Sequence, residues 1–253
     1  MPEFFLLLSS PFIGSFISAS AMMWPNIRAI LQTRSRCRNC QTELILIDII
    51  PVFSFLLLGG KCRKCKAPIA KAHLLTELVA MLIALASVFV FSGWLQVFSA
   101  LLGWTLLFGS LVDLRLRILP DGMTIGLIIA GLIIISWIGG LEFFWLGLLG
   151  AIIGFGVFYL LAKLYQLLRK REGLGLGDAK LLAAGGAWLG PFALSWIVLL
   201  AGVFAITSLL ILRLVQQKPI KSDTALSFGP ALSLAIFILW LWSGRDGVTI
   251  HLL

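Results

Sequence analysis

The sequence predicts an all-α polytopic membrane protein of about eight transmembrane helices, carrying one small cysteine-bearing insertion on its cytoplasmic side. Three observations carry that reading. Of the 253 residues 60% are hydrophobic and only 12% charged, with a mean hydropathy of +1.06, whereas a soluble domain is roughly a quarter charged. Apolar runs of bilayer-spanning length recur along the chain. Lys and Arg fall almost wholly on one side of those runs.

The runs lie at 4–23, 76–93, 95–112, 123–139, 143–166, 191–212 and 227–243. The first, "FFLLLSSPFIGSFISASAMMW", lacks the basic flank of a cleavable signal and reads as a retained span. A shorter stretch at 179–189, "AKLLAAGGAWL", is too brief to cross at full thickness. Its Gly and Ala predict an element packed closely on its neighbours, either as an eighth span or as a re-entrant one.

With eight spans and the N-terminus outside, the inner segments are 24–75, 113–122, 163–180 and 213–226. They hold nine, two, five and three basic residues, which is nineteen of the twenty, leaving only Arg245 outside. Both termini are then expected outside, and the division is a first transmembrane helix at 1–23, a cytoplasmic insertion at 24–75 and a transmembrane core at 76–253. The net charge of +9 is therefore topological, an inner-face bias suited to anionic lipid headgroups, and no nucleic-acid partner is expected.

The insertion holds all four cysteines. Cys37-x-x-Cys40 and Cys62-x-x-Cys65 are separated by 21 residues, close to the two-knuckle spacing of a four-cysteine zinc ribbon. The intervening Arg and Lys help offset four thiolates, and a loop this short gains more from a metal staple than from its own core. Unpaired or redox thiols are the alternative. A disulfide is disfavoured on a reducing face.

Asp113 closes the third span and Asp178 opens the sixth, so both are expected at the cytoplasmic edge of the membrane. Singly, each has an ordinary reading: Asp178 as a helix N-cap after Gly175 and Gly177, Asp113 as a surface charge beside Arg115 and Arg117. Asp121 reads as the cap of the next span. Together, two carboxylates on different spans at one depth form a candidate site. Sharing one proton, they could activate a water for attack on a peptide carbonyl and would titrate as a coupled pair. Lys180 could tune them or sit among headgroups. Glu77 reads as a capping or snorkelling residue. His73 and His251 are expected on opposite sides of the membrane, which excludes a paired-His metal site, and no G-x-S-x-G stretch is present.

These residues carry a resemblance. "GLGDAK" at 175–180 and "DLRLRILPDGMT" at 113–124 resemble the two aspartate motifs of the type IV prepilin peptidases, a G-x-G-D aspartic protease family. "GSF" at 14–16, both cysteine pairs, "IDIIPVFSFLLLGGKCRKC" and "TELVA" at 76–80 are similar to its bifunctional bacterial branch. The likeness runs from the first span to about residue 190. Arg38 and Asn39 stand where the family often has Pro in the first knuckle, and "HLLTELVA" replaces an aromatic-Pro pair before Val-Glu.

The resemblance implies a bacterial inner-membrane enzyme with its site and zinc loop facing the cytoplasm. It would cut the basic leader from prepilins or type II secretion pseudopilins, then N-methylate the new N-terminal residue with S-adenosylmethionine. Asp113 and Asp178 would be the catalytic aspartates, and Cys37, Cys40, Cys62 and Cys65 the zinc ligands. The core at 76–253 would be the peptidase and the insertion its zinc-binding part. The alternatives are a peptidase without methyl transfer, a transporter using its carboxylates as a proton relay, and a non-enzymatic protein whose zinc loop binds a partner.

Overall fold

The computed structural model describes residues 2–26, 35–37, 39–170, 175–216 and 227–245. Arg28, Arg34, Arg38, Arg171, Lys218, Lys221 and His251 lie outside the described residues, as does the side chain of Arg245. Every apolar run becomes a helix, the state in which a backbone in hydrocarbon satisfies its own hydrogen bonds. In chain order these are α1 (Pro2–Met23), two short turns α2 (Leu46–Ile49) and α3 (Phe53–Leu57), α4 (Lys71–Val90) and α5 (Trp94–Leu116). There follow α6 (Asp121–Arg169), α7 (Leu176–Leu189), α8 (Ala193–Gln216) and α9 (Gly229–Arg245). The described residues contain no strand, only two isolated bridges within the insertion.

Among them, α1, α4, α5, α6 and α8 are long and apolar enough to cross a membrane, and α9 is a shorter apolar helix. The 49 residues of α6 contain both runs expected at 123–139 and 143–166. Gly140, at φ 72° and ψ −157°, breaks the helix between them. That left-handed φ is open to glycine at little cost.

The chain divides into two compact units within α5, at Met1–Phe108 and Gly109–Leu253. In the first, α1 packs along α4. Gly14 makes the approach possible: a Cβ there would meet Glu77 Cα at 2.7 Å and Ala80 Cβ at 2.8 Å. Trp104 of α5 donates to the Ala80 carbonyl (3.0 Å), and Ser87 donates to Ser99 (3.0 Å).

In the second unit α7 is the centre, packed on α6, α8 and α9. Its 14 residues span about 21 Å at 1.5 Å per residue, short of a hydrocarbon core of about 30 Å. Ten of them are buried, so the small residues do serve close packing. A Cβ on Gly186 would overlap the Gly150 carbonyl of α6, and one on Gly150 would overlap Gly186. Gly154 lies under the Leu182 carbonyl, where a Cβ would sit at 2.8 Å. Trp188 ends the helix by donating Nε1 to the Leu127 carbonyl (2.8 Å) and meeting Trp240 edge-on at 5.0 Å.

Backbone contact this tight has no room for a side chain. Gly186→Val should destabilise the fold by about 1–3 kcal/mol or more. Gly202, with open space around its Cβ position, is the control: Gly202→Ala should be neutral or stabilising by about 0.5–1 kcal/mol. Thermal unfolding of both variants in detergent checks the contrast.

Candidate active site and metal centre

The insertion builds its cysteine site from two equivalent turns. In the first, Cys37 N–H donates to the Thr42 carbonyl (2.9 Å), Gln41 N–H donates to the Cys37 carbonyl (2.9 Å), and Arg36 bridges to Glu43. In the second, Cys62 N–H donates to Ala67 (2.8 Å), Lys66 N–H to Cys62 (3.0 Å), and Lys61 bridges to Pro68. Gln41 and Lys66, both four residues after the first cysteine, take positive φ of 56° and 59°. The C-x-x-C spacing thus folds twice into one knuckle, turning each pair of thiols toward the other.

The four Sγ atoms lie within 4.8 Å of one another, with Cys37 and Cys65 at 3.8 Å. Thiolates around a tetrahedral zinc at Zn–S of about 2.3 Å sit about 3.8 Å apart, so the donor set fits the ion that the sequence implies. Local donors favour the thiolate form at Cys40 and Cys62, whereas the Cys37 thiol is pushed up. The Thr42 hydroxyl, followed by its backbone, pulls the Cys40 thiol down to about 6. Backbone groups of Cys65 and Lys64 pull Cys62 down as well. Beside the site, Arg63 grips Asp48 through Nε (3.0 Å) and Nη2 (2.8 Å).

The carboxylates lie in the second unit. Asp113 sits in the last turn of α5 and is 6% exposed. A negative charge there opposes the dipole of its own helix. The N-terminus of α9 offsets this: Gly229 N–H donates to Asp113 Oδ2 (3.1 Å), and the Ser227 hydroxyl donates to the same oxygen. The fit is close enough to demand glycine, since a Cβ at Gly229 would lie 2.6 Å from Oδ2. Asp113 is therefore no surface charge.

Asp178 is the third residue of α7, half-buried, and reaches back to the Gly175 backbone. Gly175 is the N-cap and Asp178 is not, so its simple capping reading is corrected to a first-turn acid in the favourable end of the dipole. The Asp113 carboxylate is the neighbouring charge acting on it. The two expected aspartates thus lie in the same unit and within electrostatic reach of one another. Gly177 lies against Leu119, where a Cβ would sit at 3.0 Å, and holds the turn close to the segment following α5.

Asp121 also departs from expectation. Pro120 is the N-cap of α6, and Asp121 pairs instead with Lys180 Nζ at 2.7 Å. This pins the first turns of α7 to the start of α6, two residues along the chain from Asp178. Both partners reach solvent, so the contact contributes under about 1 kcal/mol. Lys180 is engaged here with Asp121.

Sequence reading missed Ser227 and Gly229. "SFGP" before an apolar run does signal a helix start, yet nothing local says that the start faces a carboxylate 114 residues earlier.

Residues 8–91 match the family described as the bacterial peptidase A24 N-terminal domain, and residues 100–211 match the type IV leader peptidase family. The chain is 37% identical over 225 residues to a prepilin leader peptidase/N-methyltransferase of Aeromonas hydrophila, covering 87% of this chain and 74% of the relative. It is 38% identical over 214 residues to one of Pseudomonas aeruginosa, covering 83% and 72%. A type 4 prepilin-like proteins leader peptide-processing enzyme of Escherichia coli O78:H11 is 35% identical over 204 residues, covering 79% and 72%. No solved structure matches.

Replacing Cys40 by Ser removes one of four converging thiols. The purified variant should carry less than half the zinc of the parent by elemental analysis, and unchanged zinc content would refute ligation.

Proposed function

Because the chain belongs to the type IV leader peptidase family, we propose that it cleaves the leader from prepilins or pseudopilins and then methylates the new N-terminus. The peptidase half is supported by the placement of Asp113 and Asp178, from α5 and α7, in a single unit and near enough for the charge of one to act on the other.

In this reading a water sits between the two carboxylates. One takes a proton from it as its oxygen attacks the scissile carbonyl, and the other delivers a proton toward the departing amine. The pair acts as one coupled acid–base unit. Ser227 and Gly229 N–H hold Asp113 Oδ2, leaving its other oxygen to the water. The glycines ahead of Asp178 let an extended substrate backbone approach.

The chemistry of the substrate agrees. A basic leader followed by an apolar helix puts its scissile bond at the cytoplasmic rim of the bilayer, the depth assigned to both aspartates by the charge bias. We assign the protein to the bacterial inner membrane on that basis, with the insertion on the cytoplasmic side near anionic headgroups. Cys37, Cys40, Cys62 and Cys65 would hold a structural zinc that staples the insertion. S-adenosylmethionine would be the methyl-donating co-substrate, supplying a methyl group bonded to a sulfonium sulfur.

Purified protein incubated with a prepilin and S-adenosylmethionine should yield a product lacking the leader and heavier by one methyl group, each change read separately by mass spectrometry. Asp113→Asn and Asp178→Asn keep volume and remove the charge; each should slow leader removal by about 10²-fold or more. Near-parental cleavage in either variant would refute the dyad. Gly229→Ala, which pushes a methyl group onto Asp113, should also cut cleavage while leaving zinc content unchanged.

A further inference from the structure

The first unit contains an acid–base cluster that peptide cleavage does not use. Glu77, in the second turn of α4, is 3% exposed. The sequence expectation of a capping or snorkelling residue is therefore corrected: it is seven residues into the helix and withdrawn from solvent. Its Oε2 accepts the Val52 N–H at 2.8 Å, and its Oε1 faces His73 Nε2 at 3.4 Å, one helical turn away. The imidazole is held on both sides, Nδ1 with Ser18 Oγ at 2.8 Å and Nε2 with Ser15 Oγ at 3.1 Å. His73 is 35% exposed and forms the open edge of the cluster.

Several features show that this arrangement is built. Gly14 lets α1 approach until Ser15 and Ser18 reach the imidazole. Val52 takes φ 62° and ψ −53°, a conformation disfavoured for a β-branched residue and found where surrounding structure enforces it. Glu77 receives the N–H of that strained residue. Among the described residues Glu77 and Asp113 are the two buried carboxylates, and they fall in different units.

The second half of the proposed reaction needs what this cluster offers. An α-amine titrates at about 7.7–8.0 and is largely an ammonium at neutral pH. It must lose a proton before its lone pair can attack a methyl group. Glu77 supplies a negative charge and Ser15 and Ser18 supply hydroxyls around the imidazole, groups that suit an ammonium, and an imidazole with one edge in solvent can pass the proton on.

We propose that the His73–Glu77 cluster holds and deprotonates the N-terminal amine exposed by leader removal, making it the acid–base centre for methyl transfer. The proposal rests on the methyl-transfer reading above. The ammonium displaces the Ser15 hydroxyl from His73 Nε2 and gives that nitrogen one proton, which is then released to solvent. The freed nitrogen lone pair forms a bond to the sulfonium methyl carbon as the S–C bond breaks. Its electron pair stays on sulfur, leaving a neutral thioether and a methylated ammonium. Glu77 positions His73 and balances its charge; His73 is the group that touches the amine.

Glu77→Gln separates this role from a structural one, because Gln still offers an oxygen to the Val52 N–H but carries no charge. With prepilin and S-adenosylmethionine, Glu77→Gln and His73→Asn should cleave within about twofold of the parent while methylation falls by about 10²-fold. Binding supplies a second readout without turnover. The parent should bind a peptide with the processed N-terminus about tenfold tighter than its N-acetylated form, and Glu77→Gln should bind the two equally. Parental methylation in Glu77→Gln, or a parent that does not prefer the free amine, overturns the proposal. Parallel loss of cleavage, methylation and thermal stability in both variants assigns the cluster to holding the fold and overturns it too. A parent that fails to methylate at all contradicts the functional reading instead.

Discussion

Backbone-to-backbone contact between Gly150 of α6 and Gly186 of α7 is the constraint on which the second unit depends. In a bilayer, helices gain little from the hydrophobic effect against one another, because lipid tails are as apolar as their side chains. What remains is packing at short range, which requires that side chains be absent at the crossing. Gly147, Gly150 and Gly154 on one helix and Gly186 with the alanines around it on the other supply that absence. A helix too short for the hydrocarbon core is thereby buried on nearly all sides, and its first turn becomes a fixed platform for Asp178.

The other carboxylate is held by electrostatics. Asp113 ends α5, where its own helix presents partial negative charge. The start of α9 reverses the local field with the Gly229 N–H and the Ser227 hydroxyl on one oxygen. Each aspartate therefore faces a helix N-terminus, its own in one case and a neighbour's in the other. This is how two acidic groups can be kept adjacent in a largely apolar unit.

Features written locally in the chain were legible. Each apolar run corresponds to a helix, the interruption between 139 and 143 falls at Gly140, and the C-x-x-C spacing folds twice into one knuckle. The kinship was legible from "GLGDAK" and "DLRLRILPDG" because those motifs combine residue type with order. Pairings across the fold were not. Asp121 faces Lys180, Ser227 faces Asp113, and Glu77 faces Val52, in each case through tertiary contacts that no spacing encodes. Glu77 misled for a specific reason: near the start of an apolar helix, a carboxylate in sequence looks the same whether it rises to the headgroups or turns inward to a neighbouring backbone N–H.

The central proposal is that Asp113 and Asp178 together hold the water that attacks the scissile carbonyl, so that both face the oxygen it adds. The direct measurement is an experimental structure of the enzyme with a prepilin peptide in which a hydroxyl-bearing carbon replaces the scissile carbonyl. The account predicts both carboxylates within hydrogen-bond distance of that hydroxyl. A hydroxyl bound by one carboxylate while the other points away into separate surroundings would contradict it.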